Sequence, residues 1–264
     1  MTEHVEKGHS STVANVLPPP FLICLPDIFS KEGRLIYKGR NEVRVLNVNN
    51  QKISIKKYGP PPIFNRLLYS WKIRTPKALS SYQNAQKIIE RGFKTALPLV
   101  YEIHYKNGIL QDSYFVSSWL EGTPVSSVRK NGMLVRALAR YTAELHQKGM
   151  MHRDYILNNV LLTKNEGTYQ FGLIDVNRFI FQKGPLNWFL VCVNLMQPFP
   201  NDKQLKIFVT EYARARHINE NVLAWWVLKF RHIRNGYSAL KQVLRKLPGA
   251  QYFSRKAKRS KRQR

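Results

Sequence analysis

The sequence is poor in cysteine and in long apolar runs. Its 264 residues contain two cysteines, Cys24 and Cys192, which lie far apart in the chain. A reducing compartment is therefore expected, and the first residues lack the basic and apolar regions of a secretory signal. The most apolar short run, Trp188 to Val193, is interrupted by Asn194 and is far shorter than the roughly twenty residues of a membrane-spanning helix. Any membrane contact is expected to be peripheral.

Acidic residues are also scarce. The chain has 43 Lys and Arg against 16 Asp and Glu, which gives a formal charge of +27 at pH 7. Such an excess indicates an anionic partner, and nucleic acid, nucleotide phosphates, an acidic lipid surface or a phosphorylated glycan would each satisfy it. The alternative is a solvated surface that only aids solubility. The hydrophobic fraction of 44% predicts a folded chain rather than a disordered one.

Short apolar runs separated by turn residues predict a small antiparallel sheet near the start of the chain. Residues 1–20 are polar and end in three prolines, so they are expected to form a flexible extension. The runs that predict strands are Leu35 to Tyr37, Val43 to Leu46, Ile53 to Ile55 and Tyr114 to Val116.

One helix is predicted within the sheet-based region, and helical periodicity dominates the chain after Glu121-Gly122. A first helix is expected from Thr75-Pro76, with Thr75 as its cap, to near Gly92. Further helices are predicted from apolar residues spaced three and four apart, and a hairpin is expected around 165–167. These apolar residues are Leu134, Leu138, Tyr141 and Leu145 in one helix, and Leu205, Phe208, Val209 and Tyr212 in another.

The expected fold class is α+β, with two lobes and two flanking segments. An N-terminal extension is assigned to 1–29, a sheet-based N-lobe to 30–119, a mostly helical C-lobe to 120–251 and a basic tail to 252–264. Seven basic residues between Arg255 and Arg264 predict that the tail is mobile.

A catalytic constellation follows the first long helix of the second half. His152-Arg153-Asp154 is followed by Asn159 and then by Asp175 at the end of an apolar run, the order of a kinase catalytic set. Phosphoryl transfer needs a carboxylate to orient the hydroxyl, which suits Asp154, and hard oxygen ligands for Mg²⁺, which suit Asn159 and Asp175. Taken singly, each could be a turn, cap or core residue, but their order and context favour the joint interpretation.

A kinase also needs a cation on the phosphates. The run 53–56 resembles the third-strand lysine motif, so Lys56 is the candidate, and strand alternation places Lys57 on the opposite face. The phosphate-covering loop is assigned to Gly39 and Asn41 only by position, because this turn has one glycine instead of three.

These motifs together resemble the lipopolysaccharide kinase family, which includes Kdo kinases and heptose kinases, over about residues 30 to 235. The resemblance rests on the segments 37–42, 55–58, 81–85, 92–93, 152–159, 173–178 and 211–216. It implies a two-lobed protein-kinase-like fold, ATP as donor, Mg²⁺ or Mn²⁺ as metal, and a lipid A core oligosaccharide as acceptor. It further implies an enzyme on the cytoplasmic face of the inner membrane. The basic surface and tail predict contact with the anionic surface of that membrane.

Two positions depart from the family pattern. Gln83 stands where the helix usually carries the glutamate that pairs with Lys56, so Gln83 is assigned to the nucleotide site, with Glu90 as a possible substitute. Val176-Asn177 replaces the Phe-Gly of protein kinases. The alternatives are a pseudokinase that binds nucleotide or a partner, and a protein Ser/Thr/Tyr kinase. A nucleic-acid-binding module is not expected, because no aromatic-basic RNA motif is present. The oligomeric state is not predicted.

Overall fold

The computed structural model describes residues 3–11, 13–71, 73–128, 132–165 and 168–246. Its strands are β1 (Glu3–His9), β2 (Arg34–Lys38), β3 (Asn41–Val48), β4 (Gln51–Tyr58), β5 (Lys94–Thr95), β6 (Pro98–Lys106), β7 (Ile109–Ser118), β8 (Thr123–Pro124), β9 (Met150–His152), β10 (Val160–Asn165), β11 (Thr168–Leu173) and β12 (Phe179–Phe181). Its helices are α1 (Val13–Val16), α2 (Pro20–Ile23), α3 (Leu25–Lys31), α4 (Ile63–Ser70), α5 (Lys77–Glu90), α6 (Val125–Val128), α7 (Gly132–Gln147), α8 (Trp188–Leu195), α9 (Asp202–Ala215) and α10 (Glu220–Lys246), and a 3₁₀ turn spans Leu157–Asn159.

A six-stranded antiparallel sheet in the order β1-β6-β7-β4-β3-β2 forms the first lobe. Side chains alternate along β4: Ile53 and Ile55 are fully buried on one face, whereas Ser54, Lys56 and Tyr58 face the second lobe. A mostly helical lobe follows. The predicted α+β kinase-like fold is thereby confirmed.

The N-terminal segment is not a flexible extension, and that prediction was wrong. Strand β1 pairs with β6 from Glu3↔Lys106 to His9↔Val100, and Lys7 Nζ lies 3.0 Å from a carboxylate oxygen of the buried Glu102. Helices α1 to α3 then pack apolar side chains against the outer face of the sheet. This packing removes Ile53 and Ile55 from water. The buried side chains of this layer include Val13, Val16, Leu17, Phe21, Leu25, Ile28 and Phe29.

Helix α5 connects the two lobes. It begins at Lys77 and ends at Glu90, close to the end predicted near Gly92, and Gly92 has a left-handed φ of +85°. Thr75 does not cap the helix as predicted; Pro76 occupies the cap position and no side chain caps the first turn. The buried face carries Ala78, Tyr82, Ala85 and Ile88, which join the core shared by both lobes.

Buried His146 links helices of the second lobe to the segment that carries His152 through a chain of hydrogen bonds. Helices α7 and α9 pack together, and the apolar residues predicted for their faces are buried except for the half-buried Tyr141. Between them His146 Nδ1 lies 2.9 Å from the hydroxyl of Tyr212, and its Nε2 lies 2.9 Å from Oδ1 of Asn194. Burial lowers the pKa of His146 to about 4, so the ring is neutral at physiological pH. Asn194 Nδ2 in turn donates to the carbonyl of His152 at 2.7 Å.

The predicted hairpin is present as β10 paired antiparallel with β11, although its turn, 166–167, lies outside the described residues. The basic tail also lies outside them, and its mobility stays a prediction. The exact lobe boundaries likewise stay predictions. Within the described residues, no helix combines the length and apolar character needed to cross a membrane.

Candidate active site

A cleft of about 380 Å³ lies between the sheet of the first lobe and the helical lobe. Its size falls within the range of small-molecule and cofactor sites. The upper wall is formed by strand residues that include Val43, Ser54 and Lys56, and the lower wall by residues that include Leu161 and Leu173. Residues 117–120 and 122, which connect the lobes, close one side.

Lys56 projects into this cleft and Lys57 does not. Lys56 Nζ donates to Oδ1 of Asp175, while Lys57 Nζ lies 3.0 Å from Oδ2 of Asp112 on the other face of β4. Burial lowers the pKa of Lys56, but Tyr58 and Asp175 outweigh that effect and the pKa is raised overall. Lys56 is therefore a fixed cation facing the cleft.

Asp175 stands two residues beyond the end of β11 in a left-handed backbone conformation, with φ of +55°. Burial acts to raise the pKa of Asp175, but the charge and the hydrogen bond of Lys56 outweigh that effect, so the pKa is lowered overall. The carboxylate is ionised at neutral pH. Asn84 of α5 donates from Nδ2 to the carbonyl of Val176 at 2.8 Å, which holds the loop after Asp175 against the helix.

His152 positions the catalytic loop rather than facing the cleft. Its buried ring donates from Nε2 to the carbonyl of Ile174 at 3.1 Å, and its Nδ1 accepts from the backbone N–H of Asp154 at 3.1 Å. Burial lowers the pKa of His152, which fits a neutral ring that donates at one nitrogen and accepts at the other. The pairing of His152 with Phe179 in β9 and β12 brings two loops together. One is the catalytic loop, 153–159, and the other is the loop that carries Asp175, 174–177, here called the metal loop.

The carboxylate of Asp154 is held by a residue that follows the metal loop. Arg178 Nη1 lies 3.0 Å from Oδ2 and 3.3 Å from Oδ1 of Asp154. Asn159 Nδ2 donates to the backbone carbonyl of Asp154 at 2.9 Å. Because its amide nitrogen is engaged, the amide oxygen of Asn159 is the atom left to act as a ligand.

The donor chemistry of Asn159 and Asp175 fits a hard divalent cation. They offer one amide oxygen and one ionised carboxylate, and Mg²⁺ is usually bound by one or two carboxylates together with substrate phosphates and waters. The part of the chain that the structure describes contains no cluster of three or more His, Cys, Asp or Glu side chains that could hold a metal without such a substrate. The residues therefore suit a metal that arrives with a nucleotide.

Gly39 and Asn41 form a tight turn between β2 and β3, in which the Gly39 N–H donates to the Asn41 carbonyl at 3.0 Å. Neither residue lines the cleft, so the turn would have to close over a nucleotide to contact it. The side-chain oxygen of Asn41 is buried and has no hydrogen-bond partner among the described residues.

Gln83 does not take the place of the glutamate that pairs with the strand lysine. It is exposed, as is Glu90, and the face of α5 towards the cleft presents Ser81, whose Oγ lies 2.7 Å from the hydroxyl of Tyr58. Residues 81 and 83 are about 200° apart around a helix, which explains why they face opposite ways. Lys56 is paired with Asp175 instead.

Sequence reasoning missed a group of cations at the cleft. Burial and the positive charges of Arg40, Arg178 and Lys56 together lower the pKa of Lys77 to about 8. The Lys77 ammonium lies 5.6 Å from the ring centre of Tyr58. The only sequence signal for Lys77 was its position in the first turn of the helix predicted from Thr75-Pro76.

Comparisons with known proteins agree with this geometry. Residues 62–185 match the profile of the Lipopolysaccharide kinase (Kdo/WaaP) family, a segment that contains Asp154, Asn159 and Asp175 but not Lys56. A solved structure described as WaaP in complex with acyl carrier protein is similar in fold, with a TM-score of 0.56 and 16% sequence identity over 82% of this chain and 97% of that chain. A search of curated proteins finds no match. The family match, confined to 62–185, bears out the predicted family and the prediction of a kinase, and the solved structure supports the fold.

Proposed function

We propose that this lipopolysaccharide kinase family protein transfers the γ-phosphoryl group of ATP to a hydroxyl of a core sugar of lipopolysaccharide. The observation that carries the proposal is the grouping of four side chains from distant segments. Lys56 and Asp175 line the cleft and pair there. Asp154 and Asn159 lie on the neighbouring loop, where the Asn159 carbonyl accepts from the Ile174 N–H at 3.0 Å. Each supplies a group that phosphoryl transfer needs.

In the proposed reaction the acceptor hydroxyl oxygen bonds to the γ-phosphorus, the bond to the β-phosphate oxygen breaks, and ADP leaves. Asp154 orients the hydroxyl and accepts its proton. Lys56 binds the α- and β-phosphates. A divalent metal held by Asn159 and Asp175 would neutralise the phosphate charge.

The ion pairs of the described state support these roles. Lys56 and Asp175 pair with each other, and binding of a metal nucleotide would give the lysine a phosphate and the carboxylate a cation. Arg178 holds the carboxylate of Asp154 and would have to release at least one oxygen for the acceptor. These exchanges replace one charge partner by another, so no buried charge is left unpaired.

A pseudokinase is the second candidate, because both functional carboxylates are engaged by basic residues and the phosphate-covering turn has a single glycine. A protein kinase would share the same machinery and differ only in its acceptor. Metal-dependent transfer to carbohydrate separates these alternatives.

We also propose that the enzyme works on the cytoplasmic face of the inner membrane. Exposed aromatic side chains on α8 and α10 support a peripheral contact, since Phe189 and Trp225 are 58% and 55% exposed. The charge of +27 would favour an anionic surface.

The proposal is tested by incubating the purified protein with ATP, Mg²⁺ and delipidated core oligosaccharide, and following phosphate transfer to the carbohydrate. Wild type should transfer, and both chelation of the metal and Asp154→Asn should abolish transfer while the protein stays folded. ATP binding without transfer to any acceptor would favour the pseudokinase, and transfer to protein but not to oligosaccharide would favour a protein kinase.

A further inference from the structure

A second pocket, of about 440 Å³, lies against the catalytic loop and shares no residue with the nucleotide cleft. One wall is formed by Ile156, Leu157 and Asn158, three of the four residues that separate Asp154 from Asn159. Ile156 and Asn158 are exposed there. A group bound in this pocket would therefore lie beside the residue proposed to receive the acceptor's proton.

The opposite wall, 197–200, is fixed to the same loop. Gln197 Oε1 accepts from the backbone N–H of Tyr155 at 3.1 Å, and the Gln197 amide donates to the carbonyl of Val193 at 3.1 Å. Phe199 is buried and packs on Phe208, with ring centres 5.2 Å apart. The pocket is thus preformed, and the hydrogen bond of the Gln197 side chain to the Tyr155 N–H sets its position relative to Asp154.

Two arginines of α10 close the pocket. Arg231 is buried; it donates to the carbonyl of Pro200, and its Nη1 lies 2.9 Å from Oδ1 of Asp202. Arg234 lies one turn further along the same face. No acidic residue lines the pocket, and Arg234 has no acidic partner within the described ranges. Arg234 is exposed, so a ligand can reach it, and partial burial and the charge of Arg231 lower its pKa. An anion here would offset the repulsion between the two arginines.

The remaining polar lining suits a carbohydrate. Ser126, Asn158 and Asn235 offer hydroxyl and amide groups, which can both donate and accept hydrogen bonds to sugar hydroxyls. An arginine offers the planar fork that matches a carboxylate or a phosphate.

We infer that this pocket binds a sugar of the acceptor that already carries an anionic group, a phosphate or a carboxylate, through Arg234. The inference rests on the proposed function and deepens it. A negatively charged ring held here would bring a neighbouring hydroxyl to Asp154, so the enzyme would act only after that anionic group is in place.

The test compares Arg234→Glu and Arg234→Lys with Lys229→Glu, a matched charge reversal on α10 at a residue outside the pocket that lies over the Trp225 ring. Transfer to delipidated core oligosaccharide is measured in steady state. Arg234→Glu should raise the acceptor KM roughly tenfold to a hundredfold, as expected for a lost charge-assisted hydrogen bond, without changing the KM for ATP. Arg234→Lys should retain most of the affinity, and Lys229→Glu should match wild type.

Two treated acceptors identify the anion. If it is a phosphate, chemical dephosphorylation of the oligosaccharide should raise the wild-type KM to the Arg234→Glu level; if it is a carboxylate, carboxyl reduction should do so. An unchanged KM after both treatments overturns the inference.

Calorimetric binding of untreated oligosaccharide without ATP separates this inference from the proposed function. Tighter binding to wild type than to Arg234→Glu supports the pocket even if no phosphate is transferred, in which case only the proposed reaction fails. Equal binding to both proteins overturns the pocket assignment, whatever the transfer assay shows.

Discussion

Two adjacent lysines on β4 allow the phosphate-binding role to be tested with an internal control. Lys56 pairs with Asp175 inside the cleft, and Lys57 pairs with Asp112 on the opposite face of the strand. The side chains of the first pair are 18% and 39% exposed, and those of the second are 29% and 30% exposed. Both pairs are thus partly buried and carry the same charges.

Replacement of either lysine by methionine should lower the free energy of unfolding by about 1–2 kcal/mol. This lies between the 0–1 kcal/mol typical of exposed ion pairs and the 3–5 kcal/mol cost of removing one partner of a buried pair. Urea unfolding followed by circular dichroism measures this loss. Because the two losses are similar, a difference in activity between the variants cannot come from instability.

The activities should differ strongly. Lys56→Met should reduce metal-dependent phosphate transfer by about 10²–10³-fold, the usual effect of removing one preorganised group that stabilises charge in the transition state. Lys57→Met should stay within about twofold of wild type. An active Lys56→Met protein, or an inactive but folded Lys57→Met protein, would refute the assignment of Lys56 to the phosphates.

Four further predictions follow from the charges and contacts of the described residues. The lowered pKa of Asp175 means that its ion pair contributes stability above the unfolded-state pKa of about 4, so the stability difference between wild type and Asp175→Asn should shrink as pH falls below that value. Phosphates near Lys77 should raise its pKa from about 8, so the protein should take up protons when it binds metal nucleotide at pH 8. Calorimetry in two buffers with different ionisation enthalpies measures this proton uptake, which should be absent in Lys77→Met. Lys7→Met leaves the buried Glu102 without one of its partners and should increase hydrogen exchange in β1, whereas unchanged exchange would show that backbone pairing alone holds the strand. Deletion of 254–264 should weaken salt-sensitive co-sedimentation with anionic vesicles but leave ATP turnover unchanged; equal co-sedimentation would make the tail only a solvated end.

Local patterns were sufficient to predict the parts of the fold that depend on neighbours in sequence. The alternation of Ile53, Ile55 and Lys56 fixes which face of β4 is buried, and the spacing of Leu134 and Leu138 fixes the buried face of α7. The order from His152 to Asp175 also indicated that the loops of Asn159 and Asp175 lie side by side, because the β10–β11 hairpin returns the chain from Val160 to Leu173.

Non-local pairing explains what the sequence did not reveal. Strand β1 is rich in charged and polar residues, as edge strands often are, so it resembled a solvated extension until its partner β6, about one hundred residues away, was known. The contact of Arg178 with Asp154 and the outward rotation of Gln83 depend on how the metal loop and α5 dock on the sheet. Neither has a local signature.

Mass spectrometry of the lipid A core from cells that lack this protein tests the central proposal most directly. The core of these cells should lack one phosphate. Expression of wild-type protein should restore that phosphate, and expression of Asp154→Asn protein at the same level should not. A core with unchanged phosphate content in the deletion strain, or full restoration by Asp154→Asn, would contradict the proposal that this protein phosphorylates a core sugar through Asp154.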